Sequence, residues 1–122
     1  MSLRERIAAA EMSPAVARAF ADALRAVAVA DGGPHSSELV AIESLLDSIA
    51  PEDVEPAPLE ALWPYRDLLL TSCIFLAVVD GGYGVEEARK ISDFAHRLGL
   101  SAHMLSAIED EVFGELKARA GR

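Results

Sequence analysis

The sequence predicts an all-α protein, a bundle of six to seven helices. Apolar residues recur at the three- and four-residue spacing of amphipathic helices along most of the chain. Alanine and leucine supply much of the 52% hydrophobic content and aromatic residues only 6%, a mixture that favours closely packed helices over a β-sandwich. The alternation of apolar and polar residues typical of strands occurs nowhere in the sequence.

Capping signals mark the helices of the first half. A short helix is expected before Ser13, which is followed by proline at the first helical position and predicts the start of a helix to about Ala30. A Gly-Gly-Pro sequence then breaks that helix. Ser36 or Ser37 is predicted to cap the next helix, which ends before Pro51.

The second half begins with a connector. Residues 51–64 contain four prolines and predict at most a short helix. The chain is then apolar nearly all round to Val79, which indicates the central helix of a bundle. A helix over about 85–98 is expected to end at Gly99 in the left-handed conformation. Ser101 is predicted to cap a final helix that runs to about Arg119. The whole chain, 1–122, is predicted to form a single domain.

The chain contains an internal repeat. Segments 30–42 and 79–91 share Asp, Gly, Gly, Glu and Ile in the same order, at a constant offset of 49 residues. An apolar helix precedes each copy and an amphipathic helix follows it. The repeat predicts two helix–loop–helix hairpins, about 14–49 and 63–98, related by a pseudo-twofold axis.

Charge and composition limit the classes of partner. Twenty acidic and eleven basic residues give a net charge of −9, which would repel a phosphate backbone and favours cations or basic protein surfaces. The single cysteine allows no intramolecular disulfide and fits a reducing, cytoplasmic compartment. The apolar stretch 68–79 would span about 18 Å as a helix, which argues against direct membrane insertion because the hydrocarbon core is ~30 Å thick.

Three segments together resemble the TerB-like (tellurite-resistance) family of helical domains: Ala30-Asp31-Gly32 with Glu38, Val79-Asp80-Gly81 with Glu87, and Leu98-Gly99-Leu100-Ser101. The resemblance spans about residues 14–115. It departs at Val79, where the family more often has alanine, and in the proline-rich connector. It implies a non-enzymatic protein associated with stress or tellurite resistance, with a protein partner that is membrane-associated.

The repeated carboxylates are the candidate metal ligands: Asp31, Glu38, Asp80 and Glu87. Their spacing is not that of an EF-hand, because positions 3 and 12 of each loop are glycine and isoleucine. If the two loops converge, four carboxylates could hold Ca²⁺, Mg²⁺ or Mn²⁺, and the resemblance implies a similar site. Alternatively, each Asp organises its own Gly-Gly turn and each Glu caps the following helix.

Other reactive residues point away from catalysis. Cys73 lies within the apolar helix and is predicted to be a core thiol, without the electropositive surroundings of a nucleophile. His35 has glycine at the equivalent position of the second loop, and His96 and His103 are expected at the surface. No residues supply a nucleophile together with a base, so an enzyme is not expected.

Two further segments complete the sequence predictions. Trp63 and Tyr65 are expected to pack the connector onto the bundle, with an exposed aromatic patch as the alternative. The acidic run 109–111 is expected to be a solvated helix face. Two functional hypotheses therefore stand: a divalent-cation-responsive TerB-like scaffold, or a metal-free helical interaction module whose acidic face binds a basic partner.

Overall fold

The computed structural model describes residues 3–30, 37–51, 53–79 and 83–120, apart from the side chains of residues 38, 119 and 120. Throughout these residues the regular structure is helical and contains no strand. The elements are α1 (Leu3–Ala9), α2 (Pro14–Ala28), α3 (Ser37–Ile49), a 3₁₀ helix (Leu59–Tyr65), α4 (Arg66–Val79), α5 (Val85–Arg97) and α6 (Ala102–Ala120). The prediction of an all-α bundle of six to seven helices is confirmed.

The predicted helix ends are present in the structure. The Ser13 hydroxyl accepts a hydrogen bond from the Val16 N–H at 3.4 Å at the start of α2. The Ser101 hydroxyl accepts one from the Met104 N–H at 3.1 Å at the start of α6. Gly99 has a φ of 77°, the left-handed conformation expected beyond the end of α5. Local sequence therefore sets the boundaries of these helices.

Helix α4 is the centre of the bundle. It packs against α1, α2, α5, α6 and the 3₁₀ helix. Its buried face includes Leu69, Cys73, Leu76 and Ala77, as the sequence predicted. The buried Ser72 hydroxyl donates to the Leu68 carbonyl at 2.7 Å, so its polar group is satisfied within the helix.

The 3₁₀ helix and α4 form one helical run, Leu59–Val79, that is long and apolar enough to cross a membrane by length and composition. Its most apolar 18-residue window has a mean hydropathy of 1.4, and 44% of that window is buried within the fold. A central bundle helix has the same composition, since it contacts other helices on most sides.

The connector packs through Leu62 rather than through Trp63. Leu62 is fully buried, whereas Trp63 is 54% exposed and has the Arg66 guanidinium 3.8 Å from its ring centroid. The expectation that Trp63 packs onto the bundle is therefore wrong, because Leu62 occupies the inward position of that turn. Tyr65 is half-buried against the core, as expected, so the structure shows one exposed ring rather than the alternative of an aromatic patch.

The two predicted hairpins are α2–α3 and α4–α5, and the helices of each pack on one another. Several pairs of residues separated by the repeat offset are buried in both hairpins. These pairs include Phe20 and Leu69, Leu24 and Cys73, Val27 and Leu76, Ala28 and Ala77, and Ile42 and Ile91. Other pairs at this offset differ in burial, such as buried Arg18 and exposed Asp67, so the duplication and its pseudo-twofold axis stay predictions.

Ion pairs link α2 to α3. The buried Arg18 guanidinium donates to the Ala50 carbonyl and lies 3.6 Å from the Asp47 carboxylate. Arg25 donates to Glu43 at 2.8 Å, and this hydrogen bond raises the pKa of Arg25. These contacts fix the first hairpin with charge as well as with apolar burial.

Candidate functional site at the loop end of the bundle

Glu87 is the one predicted site residue whose side chain the structure describes. It lies in the first turn of α5, and only 2% of it is exposed. Its Oε1 accepts a hydrogen bond from the Gly84 N–H at 3.1 Å. This is half of a capping box, because a glycine at the N-cap has no side chain with which to return the bond. The capping role that the sequence offered for Glu87 is therefore observed.

The other three predicted ligands are not described in the same way. Asp31 and Asp80 lie outside the described residues, and Glu38 is described only as the second residue of α3. Among the residues that are described, no three His, Cys, Asp or Glu side chains group as a metal site would require. Convergence of the four carboxylates thus stays a prediction.

The flanks of the two loops lie on one cavity of about 410 Å³. Ala30 is the last described residue before the first Asp-Gly-Gly loop, and Glu86 lies in the first turn of α5. Both residues line this cavity. The end of α2 therefore lies beside the helix that follows the second loop. We call this region, where α2 ends and α5 begins, the loop end.

Tyr83 connects the loop end to α6. Its hydroxyl donates a hydrogen bond to the Glu109 carboxylate, and its ring centroid is 6.0 Å from that of Phe113. The pKa of Tyr83 is raised mainly by desolvation on burial, and the hydrogen bond to Glu109 is the second cause. Glu109 is half-buried, so the expectation of a fully solvated acidic run is wrong for its first residue. Helical spacing alone gave no signal for this contact, since it depends on where α6 packs.

Cys73 is a core thiol, as predicted. It is 1% exposed, and burial raises its pKa to about 12. A thiol with that pKa stays protonated at neutral pH, whereas nucleophilic cysteines act as thiolates. Cys73 therefore contributes to packing rather than to chemistry. His96 and His103 are exposed, as expected, and His35 lies outside the described residues.

A groove runs between α2 and α5. A second cavity, of about 260 Å³, shares Ala26 and Lys90 with the cavity at the loop end. The Lys90 ammonium lies 5.7 Å from the centroid of the Phe94 ring, and within the described part of the chain it makes no ion pair. Three acidic and three basic side chains line the two cavities, so their charge favours neither an anionic nor a cationic ligand.

Helix α6 is the least buried long helix. It spans 19 residues, and Val112 is the one buried residue among its described side chains. Met104 and Phe113 are 40% and 41% exposed. Acidic residues Asp110, Glu111 and Glu115 are exposed beside them. The helix therefore presents apolar and acidic side chains together to solvent.

No family model, curated protein or solved structure matches this chain. The resemblance to TerB-like domains therefore stays a prediction carried by its own motifs.

Proposed function

We propose that this protein is a non-enzymatic helical interaction module and that α6 carries its partner-binding surface. The observation that supports this is the burial of α6, where a single described residue, Val112, is buried. Most helical stability in proteins comes from the packing of an apolar face. In α6 that face is Val112 with the half-buried Leu105, Ile108 and Leu116, and most of the other described side chains of the helix are exposed. Met104, which is 40% exposed, would be covered further by a bound partner.

The reactive groups support binding rather than catalysis. The Cys73 thiol is buried and protonated, with a pKa raised to about 12. The Tyr83 hydroxyl is engaged with Glu109, and burial raises its pKa as well. Both groups are thus held in their neutral forms at physiological pH, unlike activated nucleophiles.

The resemblance to TerB-like domains supplies the biological setting of the proposal. It suggests a cytoplasmic protein of stress or tellurite resistance, with a membrane-associated protein as partner. Disrupting the gene in the source organism should increase sensitivity to tellurite, and the intact gene should restore resistance. Unchanged growth across tellurite concentrations would remove the tellurite role while leaving the interaction role to be tested separately.

Site-specific photo-crosslinking in cells tests the interaction role. A photoreactive residue at Ala107 or Ala118, both exposed on α6, should crosslink a partner in high yield. The same residue at Val40, which is 53% exposed on α3, is the matched control. Equal yields at α6 and α3 would contradict the assignment of the surface to α6.

A second candidate is a divalent-cation response through Asp31, Glu38, Asp80 and Glu87. It is favoured by the cavity that Ala30 and Glu86 share, because this arrangement brings the start of one loop near the end of the other. Ca²⁺, Mg²⁺ or Mn²⁺ would then stabilise the fold by RT ln(1 + [L]/Kd), ~2.7 kcal/mol at a hundredfold excess over Kd.

The cation response is measured as the melting temperature with each metal and with a chelator. Asp31→Asn and Asp80→Asn should each reduce the gain on adding metal. If either variant instead loses the same stability with metal and with chelator, the carboxylates only organise their loops. Glu87→Gln removes the charge but keeps an oxygen that can accept the Gly84 N–H bond, so it too should reduce the gain on adding metal.

A further inference from the structure

One flank of α6 is exposed along its whole described length. Because an α-helix turns about 100° per residue, Met104, Ala107, Glu111, Gly114 and Ala118 lie within an arc of about 80°. Each of them is exposed, while Val112 points into the bundle. We call these five residues the α6 outer face. Phe113 lies on the opposite flank, against Tyr83.

Gly114 is the unusual residue of this face. Glycine inside a helix is less stable than alanine because it loses more conformational freedom on folding. A Cβ at position 114 would have no neighbouring atom within 4 Å, and Gly114 does not have the positive φ that favours glycine. Packing within the described chain therefore gives no reason for a glycine here, whereas close approach of another backbone would.

Charge identifies the kind of partner. Glu111 lies within the face, and among the described residues it makes no ion pair. Glu115, also exposed, lies beside it. A second copy of the chain would bring another net charge of −9, and this like charge disfavours self-association. A basic partner matches the face instead.

We propose that the α6 outer face binds a basic amphipathic helix of a partner protein, which crosses α6 at Gly114. Lysine or arginine side chains of that helix pair with Glu111, and its apolar face covers Met104 and Ala107. The missing side chain at Gly114 lets the two helix axes approach closely, since interaxial distance depends on the side chains at the contact. This inference rests on the proposed interaction role and specifies its partner.

A synthetic peptide tests the proposal on the intact protein. The probe is an amphipathic helix of about 20 residues, long enough to form a stable helix, with an alanine- and leucine-rich face flanked by lysines. A control peptide carries glutamate in place of every lysine. Fluorescence anisotropy should show saturable binding of the lysine peptide that weakens as salt is added, and no binding of the glutamate peptide.

Two leucine substitutions on the same helix separate docking from folding. Gly114→Leu fills the crossing point and should weaken binding about tenfold or more, or 1.4 kcal/mol. Ser106→Leu adds a similar side chain on the opposite flank, also exposed, and should leave affinity unchanged. Circular dichroism melts establish that both variants are folded. Glu111→Lys should weaken binding most strongly at low salt.

The outcomes discriminate among occupants. Absence of saturable binding by the lysine peptide, equal binding of both peptides, or equal affinity of Gly114→Leu and wild type would each overturn the proposal. Self-association through this face in sedimentation experiments would identify a second copy as the occupant and overturn it too. If crosslinks still concentrate on α6 while the peptide does not bind, the interaction role stands and the partner chemistry is wrong.

Discussion

Helices α4 and α6 pack against each other, yet they relate to the rest of the protein in opposite ways. α4 has 14 residues, of which seven are buried. α6 has 19 residues, and Val112 alone is buried among its described side chains. Because burial of apolar area is the main source of stability, α4 organises the fold while α6 has surface left over for association. A mutation should therefore affect mainly stability in α4 and mainly binding on the outer face of α6.

The largest effect is expected in α4. Leu76→Ala should lower the free energy of unfolding by ~2–5 kcal/mol, as large-to-small substitutions in cores do, since Leu76 is 3% exposed. Met104→Ala in α6 is the matched control and should change it by less than about 0.5 kcal/mol. Urea denaturation followed by circular dichroism measures both. Equal destabilisation by the two substitutions would break the contrast between the helices.

The thiol of α4 should make stability depend on alkaline pH. Burial raises the pKa of Cys73 from 9.0 to about 12, so the folded protein retains a proton that the unfolded chain releases. This contribution is complete below about pH 9 and is lost as the pH rises towards 12. At pH 10.5 the loss should be roughly 1–2 kcal/mol.

Cys73→Ala isolates this contribution, because both proteins share every other titrating group. Its unfolding free energy should fall less steeply than that of wild type between pH 9 and pH 10.5. A thiol reagent should also label the folded wild-type protein far more slowly than the denatured chain. Parallel pH profiles, or rapid labelling of folded protein, would place the thiol outside the core.

The attachment of α6 is expected to be weaker. Tyr83→Phe removes the hydrogen bond to Glu109 and should cost about 1 kcal/mol. Tyr65→Phe is the control, since Tyr65 is also half-buried and its hydroxyl has no hydrogen bond among the described residues. Amide exchange should show α6 becoming less protected in Tyr83→Phe while α4 is unchanged. Uniform loss of protection would mean that α6 unfolds only together with α4.

Much of the fold could be predicted because its signals are local. Serine caps, proline positions and Gly99 determine helix ends through neighbouring backbone groups. The nearly all-round apolar sequence of α4 predicted its central position. Contacts between helices were not predicted in the same way. The pairing of Arg25 with Glu43 depends on how α2 and α3 pack. The inward orientation of Leu62 in place of Trp63 depends on how the 3₁₀ helix packs on α2 and α4.

The candidate site could be predicted only in part for the same reason. Spacing placed Glu87 in the first turn of α5, and its cap follows from local geometry. Whether carboxylates of separate hairpins meet is a question of distance between hairpins, which spacing does not contain. Tyr83 and Glu109 were missed because their contact joins residues far apart in sequence. Gly114 stands out only when its open surroundings are known.

The smallest predicted effect has the opposite sign and concerns Gly114. Gly114→Ala should stabilise the isolated protein by about 0.5–1 kcal/mol, since alanine has the higher helix propensity and the site has room for a Cβ. Gly99→Ala is the matched control. A Cβ there would meet Trp63 Nε1 at an ordinary 3.7 Å, but Gly99 has a φ of 77°, so alanine should be destabilising by ~1–2 kcal/mol.

Chemical denaturation of the two variants therefore separates two reasons for a glycine in this chain. Gly99 is required by backbone conformation, and its replacement should reduce stability whether or not a partner is present. Gly114 is not required by the fold, so a more stable Gly114→Ala protein that binds the lysine peptide less tightly would assign this glycine to the interface. A destabilised Gly114→Ala protein would show that α6 needs the glycine for its own packing, and the outer face would then lose its strongest support as a docking surface.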